Sequence, residues 1–270
     1  MALIQVNYLS KALFRTVPLN VILPVDKIDY ATGNYTNRDR KFKTLYLLHG
    51  LLGNYTDWVS GTRIERWAQE RNLAVIMPSG DNSFYYNKAD AWSDYETFIG
   101  EELPEVMRRM FPLSEKREDN FIAGLSMGGY GAIRNGIVFS NTFSHIAGLS
   151  AAIHFFDKNT REKRYNKTFF LGIDAPETTK LNPEVAFKQL LDEKRPVPEF
   201  YLACGTKDDL FSVNEEFREF LRGNGANVTW DQEDAGHEWD FWDSQIKKVL
   251  DWLPLGEAEN GVNSGNVKKD

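Results

Sequence analysis

The sequence is poor in cysteine and has no excess of positive charge. Its 270 residues include one cysteine, Cys204, which excludes an internal disulfide and a metal cluster built from cysteines. There are 32 Lys and Arg against 39 Asp and Glu, so the formal net charge is -7. This acidic balance argues against a nucleic-acid partner and against docking on anionic membranes.

The sequence also lacks a long apolar run. No stretch approaches the roughly 20 residues that a membrane-spanning helix needs. The first residues, MALIQVNYLSKALFRTVPLNVILP, alternate as strands do and lack a basic region followed by an apolar core. We therefore expect no signal peptide, no membrane partner and a cytoplasmic location. Hydrophobic residues make up 42% of the chain, which is enough for a full core.

Short apolar runs of strand length recur along the chain. They cover residues 19–24, 43–50, 73–80, 120–126, 144–152, 199–206 and 226–233, and the first is expected to pair with residues 2–9. Most of these runs are continuous rather than alternating. Continuous runs favour strands that are buried on both faces, and hence a mostly parallel sheet.

Helix-like segments separate these runs. They cover residues 62–70, 94–111, 128–139, 182–193, 214–223 and 241–253. The alternation predicts a single α/β domain over residues 1–255, with a central sheet between two layers of helices. Two segments break the pattern: residues 155–172 are charged and aromatic and form either a lid or a surface excursion, and residues 256–270 are polar and expected to be disordered.

One serine stands where a predicted strand meets a predicted helix. In the stretch NFIAGLSMGGYGAI, Ser126 lies between Gly124 and Gly128. A strand–serine–helix turn of this kind strains the serine backbone and exposes its hydroxyl at the edge of a sheet, as a nucleophile requires. The alternative is an ordinary glycine-rich turn, since the G-x-S-x-G pattern also arises by chance.

A nucleophilic serine needs a base, and histidine is the usual one. The chain has four histidines: His49, His145, His154 and His237. His237 follows the last predicted strand, where a loop can return to the sheet edge, so it is the best candidate. His145 begins a strand and is more typical of a structural residue, and His49 is expected to pack beneath the site.

The base in turn needs an acid to fix its tautomer. Asp208 and Asp209 both follow the strand EFYLACG, and the residues alone leave open which of them faces His237. The chain order serine, aspartate, histidine is that of α/β-hydrolases. Two backbone N–H groups, those of Leu51 and Met127, are expected to form the oxyanion hole.

Loop position suggests three residues of the substrate pocket, Trp92, His154 and Trp239. Each of them lies in a predicted loop near a strand end or near the candidate histidine. Their aromatic rings would suit an apolar acyl group.

Four stretches together resemble one family. LLHGLLGNYTDW, GLSMGGYGAI, CGTKDDL and GHEWDFW look like the esterase D group of α/β-hydrolases, and most like the bacterial tributyrin esterases, over about residues 1–253. The resemblance implies an α/β-hydrolase fold and a serine carboxylesterase of short-chain acyl esters. It also implies Ser126 as nucleophile, Asp208 as acid and His237 as base, with Leu51 and Met127 in the oxyanion hole and no cofactor or metal.

The same group includes enzymes with other substrates. S-formylglutathione hydrolases, which are thioesterases, and feruloyl and acetyl-xylan esterases remain alternatives. An acyltransferase would favour an alcohol acceptor over water, and a non-catalytic binding protein would lack a member of the triad. The expected partner is a small-molecule ester, and the oligomeric state, including a homo-oligomer, is left open.

Overall fold

The central feature of the computed structural model is one eight-stranded sheet. The structure describes residues 2–36, 40–88, 92–156, 178–256 and 261–262. The strands are β1 (Ala2–Ser10), β2 (Arg15–Leu23), β3 (Thr44–Leu48), β4 (Ala74–Pro78), β5 (Asn120–Leu125), β6 (His145–Leu149), β7 (Glu199–Gly205) and β8 (Val228–Glu233). The predicted strands, including the pairing of the first two, are confirmed.

The sheet is parallel except at one edge. Its strand order is β1-β2-β4-β3-β5-β6-β7-β8, and only β1 with β2 and β2 with β4 pair antiparallel. From β4 to β8 all neighbours run parallel. The carboxyl ends of β3, β5, β6 and β7 therefore meet at one edge, where open α/β sheets bind their ligands.

Helices cover both faces of the sheet. They are α1 (Asp57–Gly61), α2 (Ile64–Glu70), α3 (Tyr95–Thr97), α4 (Leu103–Met110), α5 (Met127–Val138), α6 (Pro183–Asp192), α7 (Phe211–Gly223) and α8 (Trp239–Trp252), with a π-helical segment Phe98–Glu102 and a 3₁₀ turn Arg117–Asp119. The start of α6 is capped, because the Asn182 side chain accepts a hydrogen bond from Glu184 N–H and Pro183 opens the helix. Among the described residues, no helix has the length and apolarity that crossing a membrane requires.

Two separate cores fill the space between the sheet and its helices. Alternate residues of β3 face opposite ways, so Tyr46 and Leu48 belong to one core and Leu45 and Leu47 to the other. The first core includes side chains of α5, α6 and α7, and the second includes side chains of α1, α2 and α8. The three-layer α/β-hydrolase arrangement expected from the sequence is confirmed.

The predicted helix over residues 94–111 contains a π-helical segment that the sequence pattern did not indicate. Phe98–Glu102 widens the helix just before Pro104. Proline lacks the N–H that would bond to the carbonyl of Gly100, and its ring clashes with that carbonyl in a regular α-helix. A π turn before Pro104 accommodates both the missing hydrogen bond and the bulk of the ring. Gly100 also lets Phe139 approach, because a Cβ there would lie 2.1 Å from the Phe139 ring.

The two irregular segments are described only in part. Of the possible lid, residues 157–172 lie outside the described residues. Of the polar tail, residues 257–260 and 263–270 lie outside them as well. Val262 is described and forms a β-bridge with Ile28, with N–H···O distances of 2.8 and 3.0 Å.

Candidate active site

Ser126 sits in a strained turn between β5 and α5. Its backbone has φ 53° and ψ -117°, a conformation that non-glycine residues rarely adopt. Neighbouring backbone groups hold it there: Ser126 N–H donates to Leu149 O at 2.8 Å, and Ser126 O accepts from the N–H groups of Tyr130 and Ala152. The sharp turn lifts the serine hydroxyl out of the sheet edge.

The flanking glycines allow α5 to lie close to the sheet. A Cβ at Gly124 would lie 2.3 Å from the Gly128 carbonyl oxygen, and a Cβ at Gly128 would lie 2.4 Å from the Leu48 carbonyl oxygen. Both distances are too short for any side chain. The glycines on each side of Ser126 are therefore required by backbone packing, and together they fix where the serine projects.

Three side chains that are far apart in sequence form one hydrogen-bonded row. His237 Nε2 lies 3.0 Å from Ser126 Oγ, and His237 Nδ1 lies 2.7 Å from Asp208 Oδ2. Since Nδ1–H donates to the carboxylate, Nε2 is the nitrogen that can accept the serine proton. The Asp208 side chain is 1% exposed and the His237 side chain 38%, so the carboxylate is buried while the imidazole reaches the solvent-facing side.

Both oxygens of the Asp208 carboxylate accept hydrogen bonds. Oδ1 accepts from Leu210 N–H at 2.9 Å, and Oδ2 faces His237 Nδ1 at 2.7 Å. Burial on its own would raise the pKa of Asp208, but the hydrogen bonds from His237 and Leu210 outweigh it and hold that pKa below its usual value. The carboxylate is therefore ionised at neutral pH.

The loop that carries His237 reaches Asp208 because β7 ends in a glycine. A Cβ at Gly205 would lie 2.2 Å from the Ala235 carbonyl oxygen, so only glycine permits this approach. Lys207 N–H donates to the same carbonyl at 3.0 Å. Asp209, the other candidate acid, is exposed and is not the carboxylate that contacts His237.

The peptide between Gly50 and Leu51 lies beside the serine. A Cβ built at Gly50 would lie 3.6 Å from Ser126 Cβ, so the end of β3 lies close to the Ser126 side chain. No described residue accepts a hydrogen bond from Leu51 N–H. Met127 opens α5, where backbone N–H groups have no partner within the helix. These are the two N–H groups that the sequence predicts for an oxyanion hole.

His49 holds the Gly50–Leu51 peptide from behind. Its Nε2 accepts from Gly80 N–H at 2.8 Å, so the proton is on Nδ1, which donates to Gly50 O at 2.7 Å. Burial lowers the pKa of His49, and the ring is neutral. Because the carbonyl and N–H of a trans peptide point in opposite directions, fixing Gly50 O turns Leu51 N–H the other way.

A cavity of about 610 Å³ opens at Ser126. The described residues that line it are Gly50, Leu51, Asp57, Leu125, Ser126, His237, Glu238, Trp239 and Trp242. Trp239 forms a wall that packs edge-to-face on Trp58, with ring centroids 5.6 Å apart. A volume of this size is typical of small-molecule sites.

The other two predicted pocket residues are not among the described residues that line this cavity. Trp92 is 58% exposed and stacks on Phe14 with ring centroids 4.1 Å apart. His154 is half-buried, and its ring lies 6.3 Å from that of Phe156. Only Trp239 of the three borders the serine.

Sequence reasoning missed several residues of the site, among them Asp57, Glu238, Trp242 and Ser150. For Ser150 a signal was present. The letters AGLS occur at residues 123–126 and again at 147–150, at the ends of neighbouring strands in register. Asp57, Glu238 and Trp242 reach the cavity only through tertiary contacts, which no local pattern in the sequence reveals.

The arrangement suits nucleophilic attack by the serine. A hydroxyl, an imidazole nitrogen and a buried carboxylate stand in order, beside the cavity that Leu51 lines. The described residues contain no group of three His, Cys, Asp or Glu side chains placed to hold a metal ion.

Comparison with known proteins identifies a family over most of the chain. The model of the family described as putative esterase matches residues 10–253. An acetyl esterase of Caldicellulosiruptor saccharolyticus is 37% identical over 262 residues, which cover 94% of this chain and 98% of that protein.

Two solved structures from Staphylococcus aureus are similar along nearly their whole length. The fluorophosphonate-binding serine hydrolase FphF has a TM-score of 0.84 and 31% identity, covering 95% of this chain and 99% of its own. The S-formylglutathione hydrolase FrmB has a TM-score of 0.81 and 31% identity, covering 93% and 98%.

Proposed function

This chain belongs to the putative esterase family, and we propose that it hydrolyses short-chain acyl esters through an acyl-enzyme formed on Ser126. Membership of this family and the similarity to an acetyl esterase make it a carboxylic ester hydrolase. The observation that carries the proposed mechanism is the row from Ser126 through His237 to Asp208, with contacts of 3.0 and 2.7 Å.

The proposed reaction begins with proton transfer from Ser126 to His237. Ser126 Oγ attacks the ester carbonyl carbon as His237 Nε2 takes its proton, and the negative charge on the carbonyl oxygen faces the N–H groups of Leu51 and Met127. Asp208 stays ionised and steadies the imidazolium. The C–O bond to the alcohol then breaks as His237 returns the proton to the leaving oxygen.

Water completes the proposed cycle. His237 Nε2 takes a proton from a water molecule, whose oxygen attacks the acyl carbon. The second tetrahedral oxyanion faces the same two N–H groups. Its collapse returns the proton to Ser126 Oγ and releases the carboxylic acid. The deacylation step therefore uses the same side chains in the same protonation states.

A serine-directed phosphonate tests the nucleophile. We expect one equivalent to add to Ser126, located by mass spectrometry, and hydrolysis to stop. Ser126→Ala should lose several orders of magnitude in kcat, with only the residual catalysis of the oxyanion hole and binding left. The matched control is Ser144→Ala, which removes a buried serine hydroxyl at the opposite end of the sheet. An adduct on another residue, together with an active Ser126→Ala variant, would contradict the proposal.

The preference for short acyl chains is supported by the similarity to an acetyl esterase and by the family resemblance. We expect kcat/KM for p-nitrophenyl esters to be highest between acetyl and roughly hexanoyl. Emulsified long-chain triglyceride should be hydrolysed more slowly than soluble short-chain esters. The opposite order would refute the short-chain assignment without touching the proposed roles of the site residues.

A thioesterase of the S-formylglutathione type is the second candidate. Its specific support is the similarity to FrmB at 31% identity over almost the whole chain. The test compares kcat/KM for S-formylglutathione with that for a short acyl ester such as p-nitrophenyl acetate. A higher value for the thioester would favour this candidate, and a higher value for a feruloyl ester would favour that branch instead.

The cytoplasmic location of the protein and its oligomeric state stay predictions. The cytoplasmic location expected from the sequence is checked by fractionating the producing cells and locating the esterase activity. A homo-oligomer is checked by light scattering of the purified protein at several concentrations.

A further inference from the structure

The proposed base packs against a tryptophan of the helix that follows it. The His237 imidazole meets the Trp242 indole edge-to-face, with ring centroids 4.9 Å apart and an angle of 89° between the planes. Trp242 is 6% exposed, whereas 38% of the His237 side chain is exposed. The terminal torsion of a histidine is broad, so its hydrogen bonds alone leave the ring a range of orientations. A buried neighbour in contact with the ring narrows that range.

The contact follows from the way α8 begins. Glu238 is the residue just before the helix, and its backbone is extended, with φ -148° and ψ 157°. His237 therefore stands one position before the cap, and Trp242 is the fourth residue of the helix. Side chains at these two positions commonly pack together and set the angle at which the chain enters a helix. The start of α8 thus places the imidazole together with its loop.

Two further tryptophans brace the Trp242 ring. Trp239 packs edge-to-face on it, with ring centroids 5.2 Å apart, and Trp58 packs in the same manner on Trp239. Gly61 leaves room for this packing, since a Cβ there would lie 2.5 Å from the Trp239 ring. Centroid separations of about 4.5–7 Å are favourable for such pairs. These three residues, Trp58, Trp239 and Trp242, form a tryptophan cluster that ends at His237.

Both ends of the tryptophan cluster are hydrogen-bonded to the sheet edge. Trp58 Nε1–H donates to Leu48 O at 3.0 Å, and Trp242 Nε1–H donates to Ser150 Oγ at 3.2 Å. Leu48 ends β3 and Ser150 directly follows β6, and these strands are the two neighbours of β5, which leads to Ser126. The cluster therefore spans the end of the strand that precedes the proposed nucleophile. Its anchors refer the imidazole to that part of the sheet and not to its own loop alone.

We propose that Trp242 is a positioning residue for His237, and that Trp58 and Trp239 act by holding the Trp242 ring in place. The inference rests on the proposed function, in which His237 is the base. The imidazole has to keep Nε2 towards the serine and Nδ1 towards the aspartate while a proton arrives and leaves. A misplacement of about 1 Å can lower turnover about 10²-fold. A packed ring that prevents it contributes to kcat without taking part in proton transfer.

Two variants of Trp242 grade the contact. Trp242→Phe keeps a ring but loses the N–H bond to Ser150, and Trp242→Leu removes the ring. For p-nitrophenyl acetate we expect kcat to fall about threefold to tenfold in the first and about 10–100-fold in the second. KM should change by about twofold or less, because the lost contact acts on the imidazole. Wild-type kcat in Trp242→Phe would overturn the role of the anchored ring, and this test stands even if Trp242→Leu does not fold.

The same helix offers a matched control. Trp252 packs edge-to-face on His145, with ring centroids 5.1 Å apart, at the opposite end of the sheet. Trp252→Leu therefore makes the same change in a tryptophan–histidine contact outside the site. It should lower Tm but leave kcat and KM at their wild-type values. The proton between His237 Nδ1 and Asp208 is expected to give a far-downfield NMR resonance, which should shift or broaden in the Trp242 variants and stay in place in Trp252→Leu.

Trp58 tests the cluster from outside the cavity. It is 1% exposed and is not among the described residues that line the cavity at Ser126. Trp58→Leu should lower kcat about threefold to tenfold, since the brace on the Trp242 ring is lost. Added to Trp242→Leu, it should lower kcat by less than about twofold further, because its effect passes through the ring already removed. Full multiplication of the two losses would overturn the role given to Trp58.

The remaining outcomes also decide the matter. Wild-type kcat in Trp242→Leu would overturn the inference. A rise in KM with kcat and the NMR resonance unchanged would do the same, since it assigns Trp242 to the wall of the cavity alone. An equal fall of kcat in Trp252→Leu would also overturn it, because general destabilisation would then explain both losses. Failure of the proposed function has a different signature, namely hydrolysis that persists in Ser126→Ala.

Discussion

Replacing His49 should damage catalysis although the ring is not expected to touch the substrate. His49→Phe keeps a ring of similar size but leaves Gly80 N–H without a partner, and Gly50 O keeps only the longer bond from Gly53 N–H at 3.3 Å. Both groups lie in a buried region. An unsatisfied buried N–H costs about 1–3 kcal/mol, and the lost hydrogen bond to Gly50 O about 0.5–1.5 kcal/mol. Allowing for relaxation, we expect a loss of about 2–4 kcal/mol, which in a chain of this size lowers Tm by about 4–16 °C.

The catalytic loss follows from the freed Gly50–Leu51 peptide. Deleting one oxyanion-hole donor costs about 10²–10³ in kcat. Here the proposed donor, Leu51 N–H, is released rather than deleted, so a fall of about 10–100-fold is expected. Affinity for a trifluoromethyl ketone, which forms a tetrahedral adduct on serine, should fall in parallel, while KM changes little.

The control for this prediction is His145→Gln. His145 begins β6 at the opposite end of the sheet, so its replacement should leave kcat and inhibitor affinity unchanged. Both are measured with p-nitrophenyl acetate below the midpoint of thermal unfolding. If His49→Phe lowers Tm but keeps kcat within threefold of wild type, the peptide does not depend on His49 and the reasoning is refuted.

Three further outcomes are expected. Asp208→Asn should lower kcat on the order of 10⁴-fold by favouring the wrong imidazole tautomer, whereas replacement of the exposed Asp209 by Asn should lower it about tenfold or less. With folding checked by circular dichroism, the reverse order of losses would exchange the roles of the two aspartates. Gly128→Ala should destabilise the fold strongly, since its Cβ would lie 2.4 Å from a carbonyl of β3, whereas Gly223→Ala, with nothing within 4 Å, should leave Tm nearly unchanged. Burial, with two nearby cations, lowers the pKa of His145 from 6.5 to about 4, so the stability that depends on the neutral ring is complete above pH 6.5 and is lost as pH falls towards 4. Between pH 7 and pH 4.5 the free energy of unfolding in urea should therefore decline less in His145→Gln than in the wild type, by about 1 kcal/mol after allowance for solvent screening.

Much of the fold could be predicted because apolar runs and helical periodicity are local. The strands and their mostly parallel sheet follow from continuous runs such as residues 43–50 and 120–126. Helix starts were less accurate: α7 begins at Phe211 rather than at residue 214, and α8 at Trp239 rather than at 241. The π turn before Pro104 depends on a local steric conflict, which the acidic and basic ends of the helix do not reveal.

The residues proposed for the site could be predicted from chain order, but their surroundings could not. Ser126, Asp208 and His237 each follow a strand, and parallel strands bring such positions to one edge of the sheet. The choice of Asp208 over Asp209 depended on the family resemblance, because turn geometry is not written in the sequence. The contact between Ser150 and Trp242 joins residues 92 positions apart and arises only from tertiary packing.

The strand β6 contributes no residue to the proposed triad, yet its end is bonded to the segments that carry two of its members. Leu149 O and Ala152 N–H bind the strained backbone of Ser126, and Ser150 N–H between them donates to Ala203 O of β7, the strand that leads to Asp208. The end of β6 therefore helps to fix the proposed nucleophile and the proposed acid relative to each other. His237 then has to satisfy two partners whose separation is already set, and its loop approaches them where Gly205 leaves room. Preorganisation of the site is thus a property of the sheet edge, with β6 as its common support.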